Sequence, residues 1–456
     1  MKRILLPRAQ VRARISKWRA AQDTHILDLM RGASIAGILK VLAAILAFGL
    51  NVVLGRFLGA EGAGAYFLAL ATASIAATFG RFGLDSAVLR TVAAHASVGE
   101  FSQASAIQRT ALGVAFVCSC LMAVVIFLGS DFVAGEVFSD ETLAGQIRVM
   151  ALAVVPLALS VLVSRALLGL SRVRDSLLVF SIIPTAVALG GTVALASSFK
   201  VYGAIMAYVI AVCVALVYGW TAWHRALPAG VSGCRPRQST WPMRDLLTTG
   251  APLLIGALLQ LVIQASGTVL LGVWSDNTEV GRYAVAWRTA VLISFVLVAV
   301  NAIAQPKFAE LYARGEIALL AATAYKATLL MTACAAPALL IFLALPTLVL
   351  SAFGNDFAGG AGALQILSVG QFVNVAAGSV GVLLVMTRHE RSYRNVQVIA
   401  ACVVMSLNFM LIPKYGATGA AIAAASALIV QNILFGYFVW RKLGILTFRP
   451  RPVIQR

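Results

Sequence analysis

The stretch "GASIAGILKVLAAILAFGLNVVLGRFLG", residues 32–59, is almost continuous hydrocarbon, with one lysine, Lys40, inside the apolar run. Wound as an α-helix at about 1.5 Å per residue, residues 32–54 reach across the roughly 30 Å hydrocarbon core of a bilayer. A second cation interrupts "YAVAWRTAVLISFVLV", where Arg288 sits in another apolar segment. A charge placed there costs about 2.5–3.5 kcal/mol even on the lenient insertion scales.

Working outward, eleven more runs of the same kind follow. The chain is 61% hydrophobic and only 12% charged, against about 45–50% and 25% in soluble domains. Candidate spans are 62–82, 110–129, 147–168, 176–197, 203–222, 247–273, 281–303, 327–351, 362–386, 395–412 and 417–440. The fold class is therefore an all-α polytopic membrane protein of about 12 transmembrane helices. Strands alternating polar and apolar residues, as in a membrane barrel, are not seen.

Charge placement tests those spans independently. With the N-terminus inside, 29 of the 36 Lys and Arg fall in the segments assigned to the cytoplasm, while Asp131, Glu136, Asp140 and Glu141 cluster outside. Insertion keeps positive charge on the side from which it starts, so both termini are expected in the cytoplasm. The net charge of +19 then records topology. It does not point to nucleic acid, since the charges are spread over seven short segments. The N-terminal segment 1–31 sets Val11, Ile15 and Trp18 at helical spacing among arginines, which suits either an interfacial helix or a basic tail.

The second half repeats the first. "VLGRFLGAEGAGAYFLALA" is answered by "LLGVWSDNTEVGRYAVAWR", and "VGEFSQASAIQRTAL" by "RGEIALLAATAYKATL". Six helices per half is an even number, so the expectation is two pseudo-symmetric six-helix bundles, related by an axis along the membrane normal. The divisions are an N-terminal lobe 32–223, a Pro- and Arg-rich cytoplasmic linker 224–246, a C-terminal lobe 247–442 and a basic tail 443–456.

The repeat also locates a cavity. Lys40, Ala44, Ala47 and Asn51 share one helical face, and Gly256, Gln260, Gln264 and Thr268 form a similar stripe on the seventh helix. At an offset of 217, Gln264 overlays Ala47 and Thr268 overlays Asn51. The tenth helix adds Gln371 and Asn374. The candidate substrate-binding residues are Lys40, Asn51, Gln260, Gln264, Arg288, Gln371 and Asn374. Lys40 and Arg288 have no acidic partner within a span, so they suit an anionic ligand or else snorkel to the nearer interface. Asp85, the acid nearest a span, reads as helix-end chemistry beside Arg81 and Arg90. No catalytic residue, cofactor or metal site is expected, because His25, His95, His224 and His389 do not pair with other ligands at metal spacing. An outer loop of about 17 residues leaves little room for a membrane polymerase.

A lysine in "GASIAGILKVLAA", "GRFLGAEGAGAYFLA" after the first helix, "GLDSAVLRTVAAHASVGE" after the second, "PKFAELYARGE" and "PKYGATGAAIA" together resemble the polysaccharide/O-antigen flippase branch of the multidrug/oligosaccharidyl-lipid/polysaccharide exporter (MOP) superfamily. The resemblance runs from about residue 30 to 442. It implies the fold of multidrug and toxic-compound extrusion (MATE) transporters. It implies movement of a polyprenyl-pyrophosphate-linked oligosaccharide across a bacterial cytoplasmic membrane, for O-antigen, capsule or exopolysaccharide. Lys40 and Arg288 would hold the pyrophosphate, and Asn51, Gln260, Gln264, Gln371 and Asn374 the sugar hydroxyls. Membrane lipids, a polysaccharide polymerase and chain-length machinery are the implied partners. The Arg-Asp pair that lipid II flippases of this superfamily carry late in the first helix is missing, with Asn51 near the place of the acid. A small-molecule or drug exporter with the same helix count is the alternative, and would call for an intramembrane acid and a more aromatic cavity.

Overall fold

The structure, a computed structural model, describes residues 8–228 and 243–449. Residues 1–7 of the basic N-terminal segment, most of the 224–246 linker and residues 450–456 of the tail lie outside the described residues. Secondary structure is helical throughout the described residues. This is what apolar segments in lipid require, since a helix satisfies its own backbone hydrogen bonds.

Among the described residues, seven helices are long and apolar enough to cross a membrane, and two bent pairs pass the same test together. Three of the seven are double. Arg8–Arg81, Ile183–Ala226 and Glu390–Leu443 each contain one non-helical residue, respectively Gly59 (φ 68°), Lys200 (φ 47°) and Gly416 (φ 51°). At these points the chain doubles back. Gly203 packs so closely on the Leu195 carbonyl, and Gly419 on that of Leu411, that neither site admits a Cβ. Counting each arm separately, and each bent pair (Leu143–Ala151 with Val154–Gly169, Asn355–Ala376 with Val380–Met386) once, recovers the twelve expected spans.

Span ends differ in places. The ninth runs Ile317–Ala344 instead of 327–351. Leu345 leaves the helical region (φ −130°, ψ 46°) ahead of Pro346, which lacks an N–H and opens a separate short helix Pro346–Ser351.

The repeat is visible in backbone geometry. Left-handed Gly99 and Gly315 are 216 residues apart, as are Lys200 and Gly416. The turns at Gly59, Lys200 and Gly416 gather at one end of the molecule. Gly59 and Lys200 line one recess with Asn277, and Glu279 accepts a hydrogen bond from the Ala417 N–H next to Gly416 (3.2 Å). We refer to this as the turn end, and to the opposite end as the tail end.

At the turn end the halves meet backbone to backbone. A Cβ on Gly64 would overlap the Asn277 carbonyl, and one on Gly281 would overlap that of Ala60. Gly64 and Gly281 are 217 residues apart, and so are Ala60 and Asn277. The contact therefore maps onto itself under the repeat, as at a two-fold axis. Hydrogen bonds between the halves sit there too, from Arg56 Nε to the Ala352 carbonyl (2.8 Å) and from Asn277 Nδ2 to Asp140 (2.6 Å). One apolar cluster crosses the join, with Leu54, Tyr66 and Leu68 against Leu271, Tyr283 and Phe353. Toward the tail end each half keeps its own cluster, one around Leu84, Ile107, Leu162 and Trp223, the other around Phe308, Leu320, Leu383 and Phe435.

Candidate functional site

Between the halves, on the tail side of the glycine contact, lies a cavity of about 380 Å³. Its walls come from both arms of the first helical hairpin (Ala47, Asn51, Phe67, Ser74) and from the matching pair in the second half (Gln264, Thr268, Arg288). The helical period puts Ala47 and Asn51 on one face, and Gln264 and Thr268 on the corresponding one. The repeat turns both stripes toward the same space.

Arg288 dominates the electrostatics. Its side chain is exposed to the cavity, and its guanidinium carbon stands 4.4 Å from the centroid of the Phe67 ring in the other half. Such a cation–π contact contributes about 0.5–2 kcal/mol, and more as water is excluded. Among the described residues Arg288 has no ion-pair or hydrogen-bond partner. The guanidinium keeps its planar fork of donors free for an anion, and carboxylate or phosphate fits that fork in bidentate fashion.

Other polar groups are partly committed. Asn51 donates to the Ala47 carbonyl (2.8 Å), which leaves its Oδ1 as an acceptor. Phe48, Trp287 and Phe295 add to Phe67, making the cavity more aromatic than the sequence suggests, and no acidic side chain lines it.

Four of the expected residues lie elsewhere. Lys40 sits seven residues before Ala47, about 10 Å down the same helix, half-buried and outside the cavity lining, without an ion-pair partner among the described residues. Gln260 accepts a hydrogen bond from Gln397 (2.9 Å), which in turn accepts one from Gln431 (2.8 Å). Gln371 accepts from Ser294 (2.6 Å), and Asn374 accepts from Asn432 (3.1 Å). These amides belong to two hydrogen-bonded chains inside the second half, Gln260–Gln397–Gln431 and Gln371–Ser294–Asn374–Asn432. Asp85 pairs with Arg81 at 3.3 Å, in keeping with helix-end chemistry. Among the described residues no three His, Cys, Asp or Glu side chains gather as metal ligands.

Sequence reasoning passed over Phe67, whose signal is hidden because an aromatic residue in an apolar run reads as core. It also passed over Asn301, Gln305, Gln397 and Asn432, though each is a polar residue in an apolar segment and was open to the same test as Gln371.

Residues 29–312 match the family model described as "Polysaccharide biosynthesis protein". The chain belongs to that family. A search among curated proteins finds no match. Among solved structures, it is similar to the lipid II flippase MurJ in an inward closed conformation, with a TM-score of 0.71 and 12% identity, over 89% of this chain and 87% of that one. It is also similar to an inward-facing multidrug resistance MATE transporter of the MOP superfamily (TM-score 0.67, 13% identity, 89% and 98% covered). A third likeness is to a point mutant of the Vibrio cholerae MATE transporter VcmN (0.64, 13%, 93% and 100%). At such identities these structures establish the fold, which is MATE-like. With the family, they make the chain a polytopic membrane protein of the polysaccharide-biosynthesis family with that fold.

Proposed function

We propose that the chain flips a polyprenyl-pyrophosphate-linked oligosaccharide across the bacterial cytoplasmic membrane, for assembly of a surface polysaccharide such as O-antigen, capsule or exopolysaccharide. The observation that carries this reading is Arg288: an uncompensated guanidinium, facing a cavity between the halves, presents a free fork of donors that an anion satisfies. A pyrophosphate headgroup supplies one, and it also gives the membrane potential a charge on which to act.

In this reading the tail end faces the cytoplasm, and residues 32–223 and 247–442 move as lobes. The cavity, closed at the turn end by the Gly64–Gly281 contact, is loaded from the cytoplasm. The lobes then rock about the repeat axis to expose it outward. Lys40, seven residues toward the tail end from Ala47 on the helix that lines the cavity, is a first electrostatic contact for the headgroup, and Arg288 the deeper one. A polymerase and chain-length machinery would act downstream.

A second reading, a MATE-like exporter of small molecules, draws support from the four aromatic residues around the cavity. Complementation separates the two. The chain is expressed in a strain lacking its glycan-lipid flippase, and surface polysaccharide is scored along with the leaflet in which the precursor accumulates. Wild type should restore export. Arg288→Gln at matched membrane abundance should lower it about 10- to 100-fold, the loss of one charge-assisted contact, and Lys40→Gln less. Export unaffected by Arg288→Gln would remove the anion site. Failure of wild type in several donor strains, with resistance to cationic dyes gained instead, would favour the exporter.

A further inference from the structure

A second cavity, of about 310 Å³, lies wholly within the second half at the tail end. Asn301, Gln305, Asn374, Ser379 and Asn432 line it, together with the rings of Tyr393 and Phe435, stacked 5.1 Å apart and 8° from parallel. No charged side chain lines it.

Polar side chains in a membrane span are expensive, and this fold does not require them. At the 216-residue offset of the paired turns, Asn374, Asn432, Ser379 and Gln305 correspond to the apolar Ala158, Leu216, Val163 and Leu89, while Asn301 corresponds to Asp85, which is paired with Arg81. In the first half Val163 is instead buried in an apolar cluster beside Leu162 and Val179. The backbone differs in the same place. Both spans are bent, by 42° and 43°, but at different places. The first-half span breaks early, between Ala151 and Val154, and Val154–Gly169 then runs unbroken through this region, whereas its counterpart runs on to Ala376, turns through Gly378 (φ 79°) beside the cavity and restarts at Val380. Broken helices in transporters occur where backbone lines a ligand cavity.

Hydrogen-bond accounting says what the cavity can take. Ser379 Oγ donates to Asn301 Oδ1, and Asn432 Nδ2 to Asn374 Oδ1 (3.1 Å). Asn301 Nδ2 and the whole Gln305 amide remain without partners among the described residues. The unmet groups are neutral and include both donors and an acceptor, next to flat apolar rings. They suit a neutral ligand carrying hydroxyls on a ring with an apolar face. Anions are poorly served, since no cation is present.

The two cavities share one span. Arg288 lines the central one and Asn301 the second, thirteen residues or about 20 Å apart along the axis. We infer that the second cavity is a glycan subsite, which holds neutral sugar residues of the lipid-linked oligosaccharide toward the tail end while Arg288 holds the phosphate. The inference rests on the flippase reading above. It adds that glycan and phosphate are held in separate compartments, and that the second half alone selects the glycan.

The test uses the full chain in lipid nanodiscs and two probes: undecaprenyl pyrophosphate, and the same lipid bearing a trisaccharide of neutral hexoses. Affinities are read from tryptophan fluorescence, to which Trp287 of the central cavity contributes. Wild type should bind the glycosylated probe about tenfold more tightly than the bare one. Gln305→Leu breaks no hydrogen bond of the protein among the described residues, and should narrow that ratio about fivefold, the worth of one ordinary hydrogen bond. Gly381→Ala should narrow it too, because its methyl would press at 3.3–3.4 Å on the Phe435 and Tyr393 rings. Arg288→Gln should weaken both probes and leave the ratio. Equal affinity of wild type for the two probes, or a ratio unmoved by Gln305→Leu and Gly381→Ala, would overturn the glycan subsite and spare the flippase reading. Wild type binding neither probe would overturn both.

Discussion

The two halves are alike at the turn end and unlike at the tail end. At the turn end, Gly64 on Asn277 and Gly281 on Ala60 make one contact twice, once from each side. At the tail end, the first half is packed with Leu, Val and Ile around Val154–Gly169, whose span breaks nearer the turn end, while the second half is hollow, lined by amides and broken there at Gly378. The fold is thus carried by backbone geometry that the repeat preserves, paired turns and close glycine crossings. What fills the space between helices has been free to diverge, and that is where a difference in chemistry can reside.

The likeness can be broken first. Gly281→Ala and Gly64→Ala each place a methyl against a backbone carbonyl that has nowhere to go. Each should lower stability by about 3 kcal/mol, and by nearly equal amounts, read as loss of thermal stability in detergent. Strongly unequal losses would mean that the contact is not symmetric in solution. The unlikeness is sharpened by a mirrored pair. Val163→Ser buries an unpartnered hydroxyl and removes packing, costing about 2 kcal/mol. Ser379→Ala at the corresponding position removes one hydrogen bond beside a cavity and should cost about 1 kcal/mol or less. The smallest effect concerns the paired turns. Lys200 holds a positive φ that a side chain adopts only under strain, where its mate is Gly416. Lys200→Gly should stabilise by about 1 kcal/mol, and Gly416→Ala destabilise by a similar amount. No change in either would show that the turn is relaxed by its surroundings.

Much of the fold was legible because lipid allows few solutions. Twenty-residue apolar runs and the one-sided Lys and Arg count led to twelve arms, and the Gly59 and Gly416 turns follow from glycine in short links. The ninth span was carried past its end because hydropathy ignores the missing N–H of Pro346, which ends one helix and starts another.

The site was legible in part. Asn51, Gln264 and Arg288 were found because helical period and repeat both point at one cavity. Gln260 lies one turn from Gln264 yet bonds to Gln397. Gln371 and Asn374 face their own half. A period tells which residues share a face, but not which neighbour that face meets. The pairing of Arg288 with Phe67 joins residues 221 positions apart and has no local signal at all.

The glycine seam has a consequence for how such a protein can change over time. A contact made by two residues without side chains cannot be tightened or retuned by substitution at either position, because every other amino acid adds atoms. Variation there runs one way, toward a wedge. A lineage that loses either glycine must recover closure by moving whole helices, while the polar lining a few turns away can be rewritten one residue at a time. The seam is thus expected to change more slowly than the second-half cavity, so closely related chains should share how they close and differ in what they carry.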